Sequence, residues 1–398
     1  MDQTPFLRPL STGTSKPACD VAVIGAGIIG CSVAYWLTCR GLDVLLLEAG
    51  EIAAGASGAC DGFLSIQSKE PGPMMDMALS SLQLLRLCTG ELDGDIEFNP
   101  CGGMLLALGS RELAALKNLA GEAAARGLEV DILGPREVRA LEPGLETDLA
   151  GATLCVADGQ VNPLNLTQAL ARTSVKQGAS VLQGCRVQEV TRVGASWELL
   201  TGALKVRAQR VVCCAGAWSA EICETLGIRI PLFPLKGQVL VTESVGPALK
   251  HTLAGAEYLS AKHGAGELEA SGTAAQAGFT AEQTAAGNIL LGSTREEAGF
   301  DRSSTLEAME AITALARRYM PGSASLSIIR SFAGLRPQTP DGLPILGALP
   351  GLPGFYLAAG HGGDGIALSL ETGRLLAEAV AEDVEPEELH PFLLARFS

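Results

Sequence analysis

Three glycines at 25, 27 and 30 in VIGAGIIG hold G-x-G-x-x-G spacing between an apolar run and a helical one. That pattern suits a dinucleotide: the first glycine permits a tight turn, the second lets backbone approach a pyrophosphate, and the third lets helix and strand pack closely. The helix opening at Ile28 would turn its unpaired N–H groups toward the phosphates. Glu48 ends the next apolar run, where a carboxylate can accept bonds from both ribose hydroxyls. Ala49 and Gly50 follow with no Arg to meet a 2′-phosphate, which disfavours a phosphorylated nicotinamide cofactor. On these residues alone, NAD and FAD both stay open.

A second chemistry sits in AGLRPQTPDGLP, residues 333–344. Pro337 holds Arg336 in an extended backbone, and TPDG turns tightly after it. An Arg fixed this way can offer its planar fork to a carboxylate in a way Lys cannot match; a structural ion pair is the alternative. A third stretch, LAAGHGGDGIALSLETG, places glycines at 360, 362, 363 and 365 around His361 and Asp364, ahead of a helical run. Glycine this dense implies that something approaches the bare backbone. Asp364 either faces a substrate cation or caps that helix, and the cap is the favoured reading.

The elements that must position these residues are legible from periodicity. Residues 20–49 read strand, glycine turn, helix, strand, a βαβ unit. Helices are expected over 74–92, 111–126, 135–142 and 304–319, and from Pro163 behind an Asn162 cap. GQVLVTE and GNILLGSTRE alternate like the sheet edges of a second domain, and the low-complexity residues 263–278 read as an exposed loop. The aliphatic, aromatic-poor composition matches a buried parallel sheet under helices.

Composition also excludes classes. A formal charge of −15 with no basic run argues against nucleic acid and anionic membranes. The eleven cysteines show no C-x-x-C pair, and the vicinal Cys213–Cys214 lies in an apolar run. They read as free thiols in a reducing cytoplasm, with no four grouped thiolates for a cluster and no metal site. The polar first twenty residues lack the apolar region of a signal peptide, and no apolar stretch is long enough to span a bilayer.

The ordered set GAGIIG, Glu48, GASG, AGAWS, AGLRPQTPDGLPILG and AGHGGDGI resembles the D-amino-acid-oxidase-type FAD-dependent oxidoreductase family over residues 20–380. The resemblance implies FAD. Gly25, Gly27, Ile28, Gly30, Glu48, Ala49, Ser57 and Gly58 would hold its ADP half, with Val187 at the adenine. Ala215, Gly216 and Trp218 would border the cofactor, although Trp218 could equally be core packing. Gly360, Gly362, Gly363, Asp364, Gly365 and Ile366 would lie against the isoalloxazine. Arg336 would bind the substrate carboxylate, with His361 and Lys236 offering polar help unless they serve ordinary hydrogen bonding.

GASGACDGFLSIQSKEPG, DGQVNP and PLKGQVLVTES narrow the resemblance to β subunits of heteromeric amino-acid dehydrogenases, the hydroxyproline, proline and opine dehydrogenases, hydrogen cyanide synthase and sarcosine oxidase β. Such chains pass electrons to an α subunit and a small iron–sulfur subunit, some with FMN at the interface. Lys69 in SKEPG is a candidate FMN contact, the alternative being an exposed structural Lys. Glycine- and sarcosine-type relatives often carry an Arg in the final glycine loop. Gly362-Gly363-Asp364 has no cation there, which favours a secondary amine such as a proline derivative or opine over glycine. A stand-alone oxidase using oxygen and a non-catalytic flavin relay stay as alternatives.

The expected fold is α/β: a Rossmann-like FAD-binding domain (19–80, 147–232, 330–398) interleaved with an α+β substrate domain on an antiparallel or mixed sheet (81–146, 233–329), after a flexible arm over 1–18. The expected setting is cytoplasmic, with any membrane association made through partners.

Overall fold

The computed structural model describes residues 18–146, 148–202, 204–263 and 276–397. The arm expected over 1–18 lies outside the described residues except for Ala18, which opens the first strand. The middle of the loop expected over 263–278 lies outside them too. Its ends are not loop: they belong to a helix, Ala256–His263, and a strand, Gln276–Gln283.

The expected βαβ unit is β1 (Ala18–Ile24), α1 (Ile28–Cys39) and β2 (Val44–Leu47). β1 pairs in parallel with β2 on one side and β11 (Lys205–Cys213) on the other. The parallel sheet continues from β2 to β8 (Ser180–Leu182) and from β11 to β18 (Phe355–Ala359), and closes on antiparallel β17 (Ile345–Ala348). The hairpin β9 (Val187–Val193) and β10 (Ser196–Thr201) branches off β11. Val21, Val23, Leu46 and Val212 are fully buried, because helices and loops cover both faces of a parallel sheet. On one side α1 packs against α5 (Pro163–Lys176) and α9 (Gly365–Glu382). The Asn162 side chain caps α5 as expected, accepting from the Asn165 N–H at 3.2 Å.

A second sheet runs in the order β16 (Ile328–Gln338), β12 (Phe233–Ser244), β15 (Asn288–Arg295), β14 (Gln276–Gln283), β13 (Thr252–Gly255), β4 (Gly103–Ala107), β6 (Gly151–Cys155), β5 (Asp131–Leu133). Only the β13–β4 pairing is parallel. GQVLVTE and GNILLGSTRE fall in β12 and β15, which are interior strands rather than edges. β6 and β16 belong to this sheet, so its strands run past the expected boundaries at 147 and 330. A short pair, β3 (Phe63–Leu64) with β7 (Gly159–Gln160), ties the 62–72 loop to the body. The other expected helices are α2 (Pro73–Cys88), α3 (Ser110–Ala124) and α4 (Pro135–Leu141), with α6 (Ser219–Thr225) after AGAWS and α7 (Ala256–His263) after β13.

α8 (Leu306–Tyr319) covers one face of the second sheet, burying Ile312, Ala316 and Tyr319; the Tyr319 ring stacks on Phe279 at 4.5 Å. Strand side chains alternate between faces. In β12, Leu240 joins the α8 core while Gly237 and Val239 line a cavity on the opposite side.

Candidate active site

That cavity, of about 630 Å³, runs between the two sheets. One end is built by the glycine turn. Gly25 sits at φ +100°, and a Cβ on it would land 2.5 Å from the Cys214 carbonyl oxygen. Gly30 does not line the cavity; a Cβ there would overlap the Gly25 carbonyl, so its task is close helix–strand packing. Glu48 takes N–H donors from Ala26 at 2.7 Å and Gly50 at 2.8 Å, which fixes its carboxylate at the end of β2. Ala49, Val187, Ala215, Gly216 and Trp218 stand on the same cavity wall. The Cys185 N–H donates to the Glu48 carbonyl at 2.7 Å and brings Val187 alongside. Ser57 Oγ accepts from the Ile28 N–H at 2.9 Å, clamping the GASG loop onto the start of α1. Gly58 packs behind that loop, where a Cβ would meet Ala53 and Leu164. The Trp218 ring reaches past Gly55 to contact Phe300 at 5.6 Å, so it is a cavity wall rather than core.

The other end holds Arg336. Its side chain leaves β16, crosses β12 and reaches β15, where Nη1 donates to the Thr294 carbonyl at 2.8 Å and Nη2 to Ser293 Oγ at 3.2 Å. The crossing needs Gly237, since a Cβ there would overlap the guanidinium. Burial and nearby Arg295 pull the Arg336 pKa down, yet a guanidinium keeps its charge at neutral pH. Two of its five N–H donors are used, which leaves donors on the cavity wall for a carboxylate. Gly362, Gly363, Gly365 and Ile366 line the cavity beside it. Gly360 lies behind them, at φ +87° against Thr339. His361 is buried, with Nε2 3.2 Å from Thr372 Oγ1; burial pushes its pKa down to about 3, so it lines the cavity as a neutral ring.

Three expectations change. Lys236 does not face the cavity. The alternation of β12 turns it to the α8 side, where Nζ meets Asp301 at 3.1 Å and Glu296 at 3.3 Å. Lys69 is not exposed: its side chain is buried, with Nζ 2.7 Å from Asp364 Oδ1. Asp364 occupies the N-cap position of α9 but makes no side-chain cap bond. The same Oδ1 also takes Lys262 Nζ at 3.0 Å, so one carboxylate joins buried Lys69 to partly buried Lys262. Burial alone would raise the Asp364 pKa, but Lys262 and Lys69 hold it far below the usual carboxylate range. Burial brings Lys262 down to about 7 despite Asp364, whereas at Lys69 burial is outweighed by Asp364 together with Tyr258 and Asp158, and the pKa rises.

Sequence reasoning passed over several positions. Asp61, in GACDG, lines the cavity near Arg336, as does Tyr258 of α7. Asp158, in DGQVNP, is fully buried and accepts from Ile66 N–H at 2.7 Å and Gln67 Nε2 at 2.9 Å, pinning the loop that carries Asp61 and Lys69. Lys262 adjoins a low-complexity run and gives no pattern to read.

Comparison with known proteins decides what this cavity belongs to. The family model described as FAD dependent oxidoreductase, DAO, matches residues 20–379. The chain belongs to that family. Glycine oxidase of Geobacillus kaustophilus is 30% identical over 95% of this chain and 97% of its own length. The HcnC chain of hydrogen cyanide synthase from Pseudomonas protegens is 29% identical over 95% and 96%, and an opine oxidase subunit of Rhizobium meliloti 27% over 95% and 97%. The crystal structure of the Geobacillus glycine oxidase superposes with a TM-score of 0.85 at 29% identity, covering 96% of this chain and 99% of that one. L-proline dehydrogenase from P. horikoshii, at 22% identity and TM-score 0.85, shares the fold, covering 96% and 98%. The resemblance, the α/β fold with a Rossmann-like FAD-binding part, and the identity of the cofactor as FAD are therefore established for this family member, which is an FAD-dependent oxidoreductase. Among the described residues no helix is long and apolar enough to cross a membrane.

The residues present fit FAD. The Gly25 cradle admits no side chain, Glu48 stands fixed at the cavity wall, and one continuous cavity joins that end to the glycine loop and Arg336.

Proposed function

We propose that this family member oxidises the C–N bond of a secondary amino or imino acid, such as a proline derivative or an opine, as the catalytic subunit of a multi-subunit dehydrogenase. The observation that carries the reading is Arg336, held by Thr294 and Ser293 with donors to spare on the wall of the FAD cavity. Bound FAD supplies the hydride acceptor. Glu48 would hold the ribose, the Gly25–Gly30 turn the pyrophosphate and the 360–366 loop the ring system. Arg336 binds the substrate carboxylate and so orients Cα, while the aliphatic wall of Ile28, Val239 and Ile366 excludes water. Neutral His361 contributes hydrogen bonding without adding charge. No cation stands in the Gly362-Gly363-Asp364 stretch, and Asp364 is committed to two lysines, which supports a substrate larger than glycine.

The multi-subunit reading draws on HcnC and the Rhizobium opine oxidase chain, both named as subunits; α and iron–sulfur partners belong to this proposal, as does any FMN shared with them. The glycine oxidases, at up to 30% identity, favour a second reading, a stand-alone oxidase. Anaerobic mixing of the holoenzyme with a panel of amino and imino acids tests the chemistry, since the true substrate bleaches the flavin band. Purification from native cells tests the assembly: a lone chain that consumes oxygen supports the second reading.

A further inference from the structure

Asp61 is a carboxylate without a use in the mechanism above. It lines the cavity with Arg336, and the two charges are close enough to bias one another, yet they form no ion pair within 4.0 Å. Asp61 makes no ion pair with any other described residue either, although Lys69 lies within electrostatic range. A backbone hydrogen bond from Phe63 leaves this partly buried carboxylate without a counter-ion in contact, which is costly unless a ligand completes it. The position is built. Gly62, its neighbour, donates to Glu282 Oε1 at 2.8 Å, and Asp158 anchors Ile66 and Gln67 farther along the loop.

We infer that Asp61 binds the amine of the substrate and accepts its proton, so that Arg336 and Asp61 together read the two ends of a zwitterion. This rests on the proposed function and deepens it. The substrate enters as an ammonium carboxylate. The N–H bond breaks, an O–H bond forms on Asp61, and the nitrogen keeps the electron pair that it needs before the Cα hydride can leave. Every other titratable group facing Asp61 is unsuited to the task. Glu282 of β14 sits behind it off the cavity, its pKa raised by burial and by Asp61 itself. Lys69 and Asp364 are spent on each other, and Tyr258 of α7 is held neutral by burial. Cys60, next in the chain, is pushed up by burial and stays a thiol. Lys262 could lose its proton near neutrality, but its Nζ is turned to Asp364 and Ser68 and it does not line the cavity. Burial raises the pKa of Asp61 against the pull of Arg336, the direction a proton acceptor needs.

The test separates amine from carboxylate. Holoenzyme and its Asp61→Asn variant are titrated by flavin absorbance with acetate, which lacks the amine, and with 2-aminoisobutyrate and 2-methylproline, which lack a Cα hydrogen. Wild type should bind the amino acids, and Asp61→Asn should weaken them at least 10-fold while acetate binding is unchanged or tightens, since a negative charge near Arg336 is removed. With an oxidisable amine under anaerobic conditions, Asp61→Asn should slow flavin bleaching at pH 7 on the order of 10²-fold. Its pH limb should move up to the pKa of the free amine. Asp61→Glu, whose FAD content reports folding, should restore part of that limb. Equal effects on acetate and amino acids, or an unmoved pH limb, would overturn the proposal. A limb that moves in Lys262→Met instead would also overturn it and assign the proton to Lys262. If no amine bleaches the wild-type flavin, the proposed function fails first and this inference with it.

Discussion

Gly237→Ala is the sharpest probe of how the carboxylate end is built. The new Cβ would occupy the space of Arg336 Nη1, Cζ and Nη2, while β12 itself, bonded to both neighbours, cannot yield. Arg336 is the flexible partner, so the guanidinium must swing away from the Thr294 carbonyl at 2.8 Å and Ser293 Oγ at 3.2 Å. Hydrogen bonds from a charged donor are worth about 1.5–3 kcal/mol each, and water can replace part of the loss, so stability should fall by about 1–3 kcal/mol. The ligand loses more selectively. Losing a fixed two-pronged carboxylate contact should weaken acetate about 10²-fold, equivalent to about 2.7 kcal/mol. FAD affinity should hold, because the Glu48 and Gly25 end is untouched. The assay is acetate titration by flavin absorbance, with cofactor content and denaturant unfolding alongside, and Arg336→Lys as a comparator. Unchanged acetate binding in Gly237→Ala would refute the argument that Arg336 works by crossing β12 over this glycine.

Other expectations follow from the buried charges and the cofactor end. Asp364→Asn leaves Lys69 and Lys262 facing each other without their carboxylate, and should cost about 3–5 kcal/mol in denaturant unfolding. A variant as stable as wild type would show that the pair is hydrated rather than buried. Lys262 titrates near 7 in the folded chain and near 10.5 unfolded, so between those values the unfolded state binds more protons and stability rises with pH. The slope reaches at most about 1.4 kcal/mol per pH unit, and vanishes below about pH 7, where both states are protonated. Lys262→Met should lack this rise and be more stable than wild type on the acid side; parallel pH curves for the two would contradict it. Glu48→Ala removes the acceptor of the Ala26 and Gly50 N–H groups together with the ribose contact, and should weaken FAD about 10- to 100-fold in reconstitution titrations. Ordinary FAD affinity in that variant would remove Glu48 from the cofactor site.

The glycine turn, Glu48 and Arg336 could be found in the sequence because each depends on local rules: φ freedom, a strand end, a residue fixed before proline; Ser57 came only with the family resemblance. The family they point to is borne out along nearly the whole chain. Lys236 shows where local rules stop. Its motif, PLKGQ, was legible, but one step of strand alternation gave the cavity to Gly237 and sent the lysine to Asp301 and Glu296.

Asp364 and Lys69 were both visible in sequence, as a cap and a candidate cofactor contact. Only folding brought residues from three separate segments, the 62–72 loop, α7 and the start of α9, onto one oxygen atom, where charge pairing took the place of the Asp364 cap. Asp61 and Asp158 are a similar case, one turned to the cavity and the other buried behind the same loop. The sequence by itself determined the βαβ unit, the dinucleotide turn and the arginine, since backbone geometry and short-range spacing specify them. The tertiary structure decided which charges meet, because pairing across distant segments depends on sheet order, strand register and burial.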